Sequence, residues 1–190
     1  MKLERVLPYS KKLLNLAISE GDIAVDCTIG NGHDTLFLAE LVGEIGHVYG
    51  FDIQDEAIHQ TKSLLDEHQL ANRATLNKIS HEHLLDTIPP EKHEHIRGAV
   101  FNLGYLPGGD KAIVTVPEST ITAVDKLLSV MKKEAIIVLV VYHGHPEGQL
   151  ERDALLEYVS MLDQKKAHVL QYQFMNQKNN APFIIAIEKN

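Results

Sequence analysis

Short runs of apolar residues alternate along the chain with longer stretches whose apolar positions recur every three to four residues. Seven runs read as strands, at 23–27, 47–51, 74–77, 98–101, 135–141, 168–173 and 183–187. Helical spacing fills 34–41, 55–68, 80–86, 118–131 and 147–161. In the fourth of these, Ile121, Val124, Leu127, Leu128 and Met131 share one face. Pro117 before it suits a first helical turn, where a missing N–H costs nothing. The run 135–141 never alternates in polarity, which belongs in the middle of a parallel sheet covered on both faces. An open, doubly wound α/β domain is therefore predicted, and no repeat or linker divides residues 1–190. The rhythm breaks near the C-terminus. Residues 176–180 are too few for a crossover helix, so the last two strands are expected to pair as an antiparallel hairpin.

Five βα units followed by a hairpin resemble the Rossmann-like class I methyltransferase layout. That layout implies a seven-stranded, mostly parallel sheet with helices on both faces. The length of 190 residues suits one domain, and 44% hydrophobic with 23% charged residues is ordinary globular composition. A net charge of −8 does not advertise nucleic-acid binding, which would need a local basic patch. Cys27 is the only cysteine, which excludes an internal disulfide and any four-cysteine metal site. The N-terminal residues carry Lys2, Glu4 and Arg5, with no apolar run of signal-peptide length. The longest apolar stretch has eight residues, against the roughly 20 that span a bilayer. A cytoplasmic enzyme or binding protein, away from membranes, is the expectation.

The loop after the first strand, Asp26-Cys-Thr-Ile-Gly-Asn-Gly-His-Asp34, opens a helix at the place where doubly wound sheets bind ligands. Gly30 and Gly32 would let backbone N–H groups come close to a ligand. A dinucleotide fingerprint needs a third glycine where this chain has Thr35. Asp52, twenty residues beyond Gly32 at the end of the second strand, suits the two hydroxyls of a ribose. The constellation fits S-adenosylmethionine as well as NAD. Asp26 reads either as the charge that suits a sulfonium ligand or as a cap on nearby loop amides. No G-x-x-x-x-G-K-[ST] occurs, which sets aside P-loop hydrolysis of ATP or GTP.

The fourth strand ends in Asn102-Leu-Gly-Tyr105, and amino-group methyltransferases carry Asp/Asn-Pro-Pro-Tyr/Phe there. The first and last positions agree, and both prolines are missing. A nitrogen nucleophile needs acceptors for its hydrogens, which the Asn102 side-chain oxygen and the Leu103 carbonyl can supply. Tyr105 can stack on a planar base. The plainer reading is a turn shaped by Asn102 and Gly104 with a surface tyrosine. Among eleven histidines, His143-Gly-His145 lacks the further Asp-His of H-x-H hydrolases. His81-Glu-His83 and His93-Glu-His95 lack the spacing of H-E-x-x-H. No metal is expected, and His143 and His145 read instead as substrate contacts or proton handlers.

Taken with Tyr142-His-Gly-His-Pro-Glu-Gly148, the first two loops resemble the small YtqB-type rRNA-methylase family, whose characterised members, called MnmM, are tRNA methyltransferases. The resemblance covers essentially the whole chain. It implies S-adenosylmethionine as donor and the aminomethyl nitrogen of 5-aminomethyl-2-thiouridine, at the tRNA wobble position, as acceptor. Position by position it implies a methionine-end loop of Asp26, Thr28, Gly30, Asn31, Gly32, Asp34 and Thr35. Asp52 would hold the ribose, with Ile53 and Gln54 beside the adenosine and Ser80 and His81 flanking adenine. Asn102, Leu103 and Tyr105 would face the methyl, and Tyr142, His143 and His145 the substrate. The partner is then the anticodon region of tRNA, with Lys111 and Lys132–Lys133 as candidate phosphate contacts and a homodimer as a way to pool basic patches. Two other readings remain. The pattern D-x-T-x-G-x-G also resembles a 16S rRNA cytosine N-methyltransferase, although those enzymes are longer and carry an inserted domain. A noncatalytic nucleotide-binding module is the third, but it would have no need of the Asn102–Tyr105 loop.

Overall fold

The computed structural model describes residues 2–104 and 114–190. The strands are β1 (Ile23–Asp26), β2 (His47–Asp52), β3 (Ala74–Lys78), β4 (Ile96–Leu103), β5 (Ile136–Val141), β6 (Ala167–Tyr172) and β7 (Phe183–Lys189). The helices are α1 (Val6–Ala17), α2 (His33–Leu41), α3 (Asp55–Glu67), the short α4 (Leu84–Thr87) and α5 (Pro90–His93), α6 (Pro117–Val130) and α7 (Pro146–Ser160). The strands form one sheet in the order β3-β2-β1-β4-β5-β7-β6. All neighbours are parallel up to β5, whereas β7 runs antiparallel to both β5 and β6. The expected hairpin is present, and its second strand lies inside its first.

The unbroken apolar run of β5 is explained by its two faces. Ile137, Leu139 and Val141 pack with Val124 and Leu127 of α6 and Leu155 of α7. Val138 and Val140 point the other way, into a second cluster with Leu13 and Leu14 of α1 and Leu38 of α2. Burying residues of that size stabilises the fold by roughly 1.5–3 kcal/mol each. β6, at the edge, is exposed along most of its length. Among the described residues no helix is long and apolar enough to cross a membrane.

α1 has no counterpart among the elements expected from the hydrophobic pattern. Its buried positions, Val6, Ser10, Leu13, Leu14 and Ala17, do follow helical spacing. Pro8 and Ser10 mask it in the sequence. Pro8 sits in the first turn, where its N–H would have no helical partner, and the Ser10 hydroxyl donates to the Leu7 carbonyl at 2.8 Å. The helix lies close on β4, where a Cβ at Gly98 would come within 2.4 Å of Ile18. That contact brings the start of α1 to the carboxyl ends of the strands.

Candidate active site

Beyond the carboxyl ends of β1, β2, β4 and β5 lies a cavity of about 1140 Å³. A drug-sized ligand takes roughly 300–1,000 Å³, so this space exceeds the need of one small molecule. Of the loop residues singled out in the sequence, Thr28, Gly30, Asn31, Asp34, Asp52, Ile53, Gln54, Ser80 and His81 line it. Asp26, Gly32 and Thr35 do not.

Those three shape the loop from behind. The fully buried Asp26 accepts the Thr35 hydroxyl at 2.6 Å and the Thr28 N–H at 3.2 Å. Its contacts are those of a loop cap. Burial, and after it the charge of Asp34, push its carboxyl up to about 7. Gly32 precedes α2 with φ at 81°, and a Cβ there would approach Thr61 Oγ1 to 2.5 Å. In front of them, Asp52 accepts the Gly30 N–H at 2.9 Å and the Gln54 N–H at 3.0 Å, one on each oxygen. Each oxygen keeps a further lone pair. Ile53 and Ile79, 53% and 39% exposed, add apolar surface to the cavity. His81 Nδ1 lies 2.9 Å from the Cys27 carbonyl, which can only accept, so Nδ1 carries the hydrogen. Burial lowers the pKa of this ring and favours its neutral form.

The opposite wall grows from the ends of β4 and β5. The Asn102 N–H donates to Thr28 Oγ1 at 2.6 Å, and its side-chain Nδ2 donates to Asp34 Oδ2 at 2.5 Å. The Leu103 carbonyl already accepts the Tyr142 N–H at 3.2 Å, which leaves it one lone pair. Tyr105 and Lys111 lie outside the described residues. Tyr142, His143 and His145 line the cavity. Burial, with the Asp34 charge second, pushes the Tyr142 phenol up. His143 packs on Phe183 with ring centroids 5.4 Å apart, both its nitrogens shielded from solvent. His145 Nδ1 accepts the Gly148 N–H at 2.8 Å and so caps α7. That contact ties one face of His145 to the fold.

Several residues here went unnoticed in the sequence. Leu7, Pro8 and Lys11 of α1 form part of the wall, as do Val116 and Asn180. Behind them Glu151 of α7 is 2% exposed and accepts the hydroxyls of Thr115 at 2.5 Å and Thr120 at 2.9 Å. Thr115 Oγ1 in turn accepts the Gly104 N–H at 3.0 Å, and its own N–H donates to the Gly104 carbonyl at 3.1 Å. Burial pushes the Glu151 carboxyl up. A sign was available, because Glu151 falls in the helical stripe completed by Leu155 and Val159. Lys132 and Lys133 lie away from this cavity. They precede β5, whose six residues span roughly 20 Å, so they stand at the far end of the sheet, and Lys132 pairs with Glu94 at 3.3 Å. Among the described residues, no three His, Cys, Asp or Glu side chains gather closely enough to hold a metal.

A family model described as "Putative rRNA methylase" matches residues 48–188, well over half the chain. The chain belongs to this family. Its relatives include a chloroplastic protein of Arabidopsis thaliana named tRNA (mnm(5)s(2)U34)-methyltransferase, 35% identical over 90% of this chain. This chain covers 65% of that relative's length. A structure of a "putative rRNA-methylase" from Clostridium thermocellum is 41% identical, with a TM-score of 0.95 and full coverage of both chains. A "putative methyltransferase" from Streptococcus mutans, solved in complex with SAH, is 35% identical with a TM-score of 0.89, covering 99% of each chain.

Proposed function

We propose that this family member is an S-adenosylmethionine-dependent tRNA methyltransferase. In this reading it methylates the aminomethyl nitrogen of 5-aminomethyl-2-thiouridine at the wobble position, giving 5-methylaminomethyl-2-thiouridine. The observation that carries the reading is the pairing, in one cavity, of the Asp52 carboxylate at the end of β2 with the Asn102 amide at the end of β4. The Arabidopsis relative's name supports the substrate, and the SAH bound to the Streptococcus relative supports the donor.

The donor set fits this cofactor. Asp52 offers lone pairs to the ribose diol, Ile53 and Ile79 offer apolar surface to adenine, and Asp34 offers negative charge to the cationic methionine end. Ser80 and His81 border the adenine side, and Thr28, Gly30, Asn31 and Gln54 complete the wall. Bound there, S-adenosylmethionine supplies a methyl on a sulfonium, which passes to the amine nitrogen as the carbon–sulfur bond breaks and its electron pair stays on sulfur.

The chain's own task is orientation. An alkylamine resembles a lysine, with a pKa of about 10.4, so presenting it neutral at pH 7 costs about 4.6 kcal/mol. A closed, partly apolar cavity favours the neutral form and lowers that cost. The Asn102 oxygen, aided by the remaining lone pair of the Leu103 carbonyl, takes the amine hydrogens and leaves the nitrogen lone pair directed at the methyl. Tyr142 and His145 border the base, and His143 supports it with ring surface. His143, whose nitrogens have no other partner among the described residues, or a water accepts the departing proton. Among the described residues of the cavity wall, Lys11 is a cation suited to a phosphate. A cytoplasmic location and a homodimer that pools two such edges belong to the same reading.

The test is mass spectrometry of nucleosides from tRNA and rRNA after the gene is deleted, with the purified protein then supplied alongside labelled S-adenosylmethionine. Accumulation of the aminomethyl nucleoside, and its methylation on addition, is the expected result. A missing methyl in rRNA alone would move the substrate to ribosomal RNA, which the family description favours.

A further inference from the structure

We infer that Asp34 is a positioning residue that sets which way the Asn102 side-chain amide faces. This deepens the proposed amine methylation and rests on that reading. An asparagine amide has nearly the same shape with its oxygen and nitrogen exchanged, so packing alone does not choose between the two. The chemistry needs one of them. Oxygen toward the substrate accepts an amine N–H, whereas NH₂ toward the substrate would hydrogen-bond to the lone pair that must attack.

Asp34 makes the choice. Its Oδ2 is 2.5 Å from Asn102 Nδ2, and a carboxylate has only acceptors to offer. Turning the amide over would bring two oxygens to that separation, exchanging a charge-assisted hydrogen bond for repulsion. Asp34 is itself held. It sits in the first turn of α2, where the helix dipole favours an acid, and Lys11 Nζ stands 3.9 Å from its other oxygen. The Asn102 backbone is fixed to the same loop through Thr28 Oγ1. With the backbone N–H and one NH₂ hydrogen engaged, the side-chain oxygen keeps its lone pairs for a ligand. The two residues are 68 positions apart, and α1, α2 and β4 meet around them.

Two measurements test this on the full-length protein. In nitrogen-15 NMR, the Asn102 side-chain NH₂ pair, assigned by its loss in Asn102→Ala, should show one strongly downfield proton that moves upfield in Asp34→Ala. An unchanged pair would overturn the inference. This readout needs no substrate, so it stands even if nucleoside analysis removes the wobble-uridine reading. In turnover assays Asp34→Ala should lower kcat about tenfold, yet add less than twofold in an Asn102→Ala background, because both changes remove one arrangement. Measured at saturating S-adenosylmethionine, Asp34→Asn, whose side-chain oxygen can still accept from Nδ2, should regain most of the loss in kcat. Additive losses, or no recovery in Asp34→Asn, would each overturn it.

Discussion

The two walls of the cavity are built differently. The wall at the ends of β1 and β2 is held by contacts over short distances in the chain or between neighbouring strands. Asp26 caps Thr28, and Asp52 takes the N–H groups of Gly30 and Gln54. The wall at the ends of β4 and β5 is assembled from distant segments. Asn102 reaches Thr28 and Asp34, and Gly104 reaches Glu151 through Thr115. A backbone-held loop suits a ligand that is the same in every turnover. A wall made of side-chain relays can be retuned residue by residue for the acceptor. Substitutions in the two walls should therefore separate binding of the donor from the rate of the chemical step.

The sharpest break is Asn102→Ala, which removes the acceptor from the second wall. kcat is expected to fall roughly a hundredfold, the scale of a misplaced reacting group, while S-adenosylmethionine affinity changes only a few-fold. Single-turnover kinetics beside calorimetry would read both, and near-normal kcat would reduce the loop to a backbone turn. On the first wall, Asp52→Ala should weaken cofactor binding at least tenfold. Each charge-assisted hydrogen bond lost there is worth roughly 1.5–3 kcal/mol, and circular dichroism should show the fold intact. Equal affinity in the variant would reassign the ribose site.

pH tests the walls by opposite signs. If the second wall receives an amine with a pKa of about 10.4, the rate should climb by up to about a hundredfold between about pH 7 and 9 as the neutral fraction grows. A flat profile would take the amine out of the mechanism. The first wall answers through Asp26, raised from 3.8 to about 7 in the folded protein. Between those values the folded state holds a proton that the unfolded state has released. The stability this contributes is complete below about 3.8 and is lost as pH rises through about 7. The melting temperature of Asp26→Asn should accordingly depend less on pH across that window than that of the native chain. The smallest expected effect is none. Dialysis against a chelator should leave the rate unchanged, because a sulfonium needs no Lewis acid, and a loss reversed only by zinc would return His143 and His145 to a metal reading.

The first wall was the more legible in sequence for the same reason that it is local. Asp26 through Asp34 is one contiguous stretch, and Asp52 follows at the end of the next strand. Asn102 was legible from its place after a buried strand, but its partners were not. Nothing in the spacing of residues 34 and 102 says that they touch, nor that Glu151 in a helical stripe serves Thr115 and Thr120. α1 escaped because a proline and a serine interrupt its stripe, and with it went Leu7, Pro8 and Lys11 from the expected site.

By itself the sequence determined the alternation of strands and helices, the parallel sheet and the closing hairpin. The helices follow from a period near 3.6 within each segment, the parallel sheet from an apolar run that never alternates, and the hairpin from a connection too short for a crossover. Only the tertiary structure decided that β7 inserts between β5 and β6, that α1 reaches the cavity, and that Asp26 stands behind the loop while Asp34 faces Asn102. Which side chain fronts a cavity depends on strand order and helix packing across the whole sheet. Those are set by the burial of two apolar clusters rather than by any local pattern.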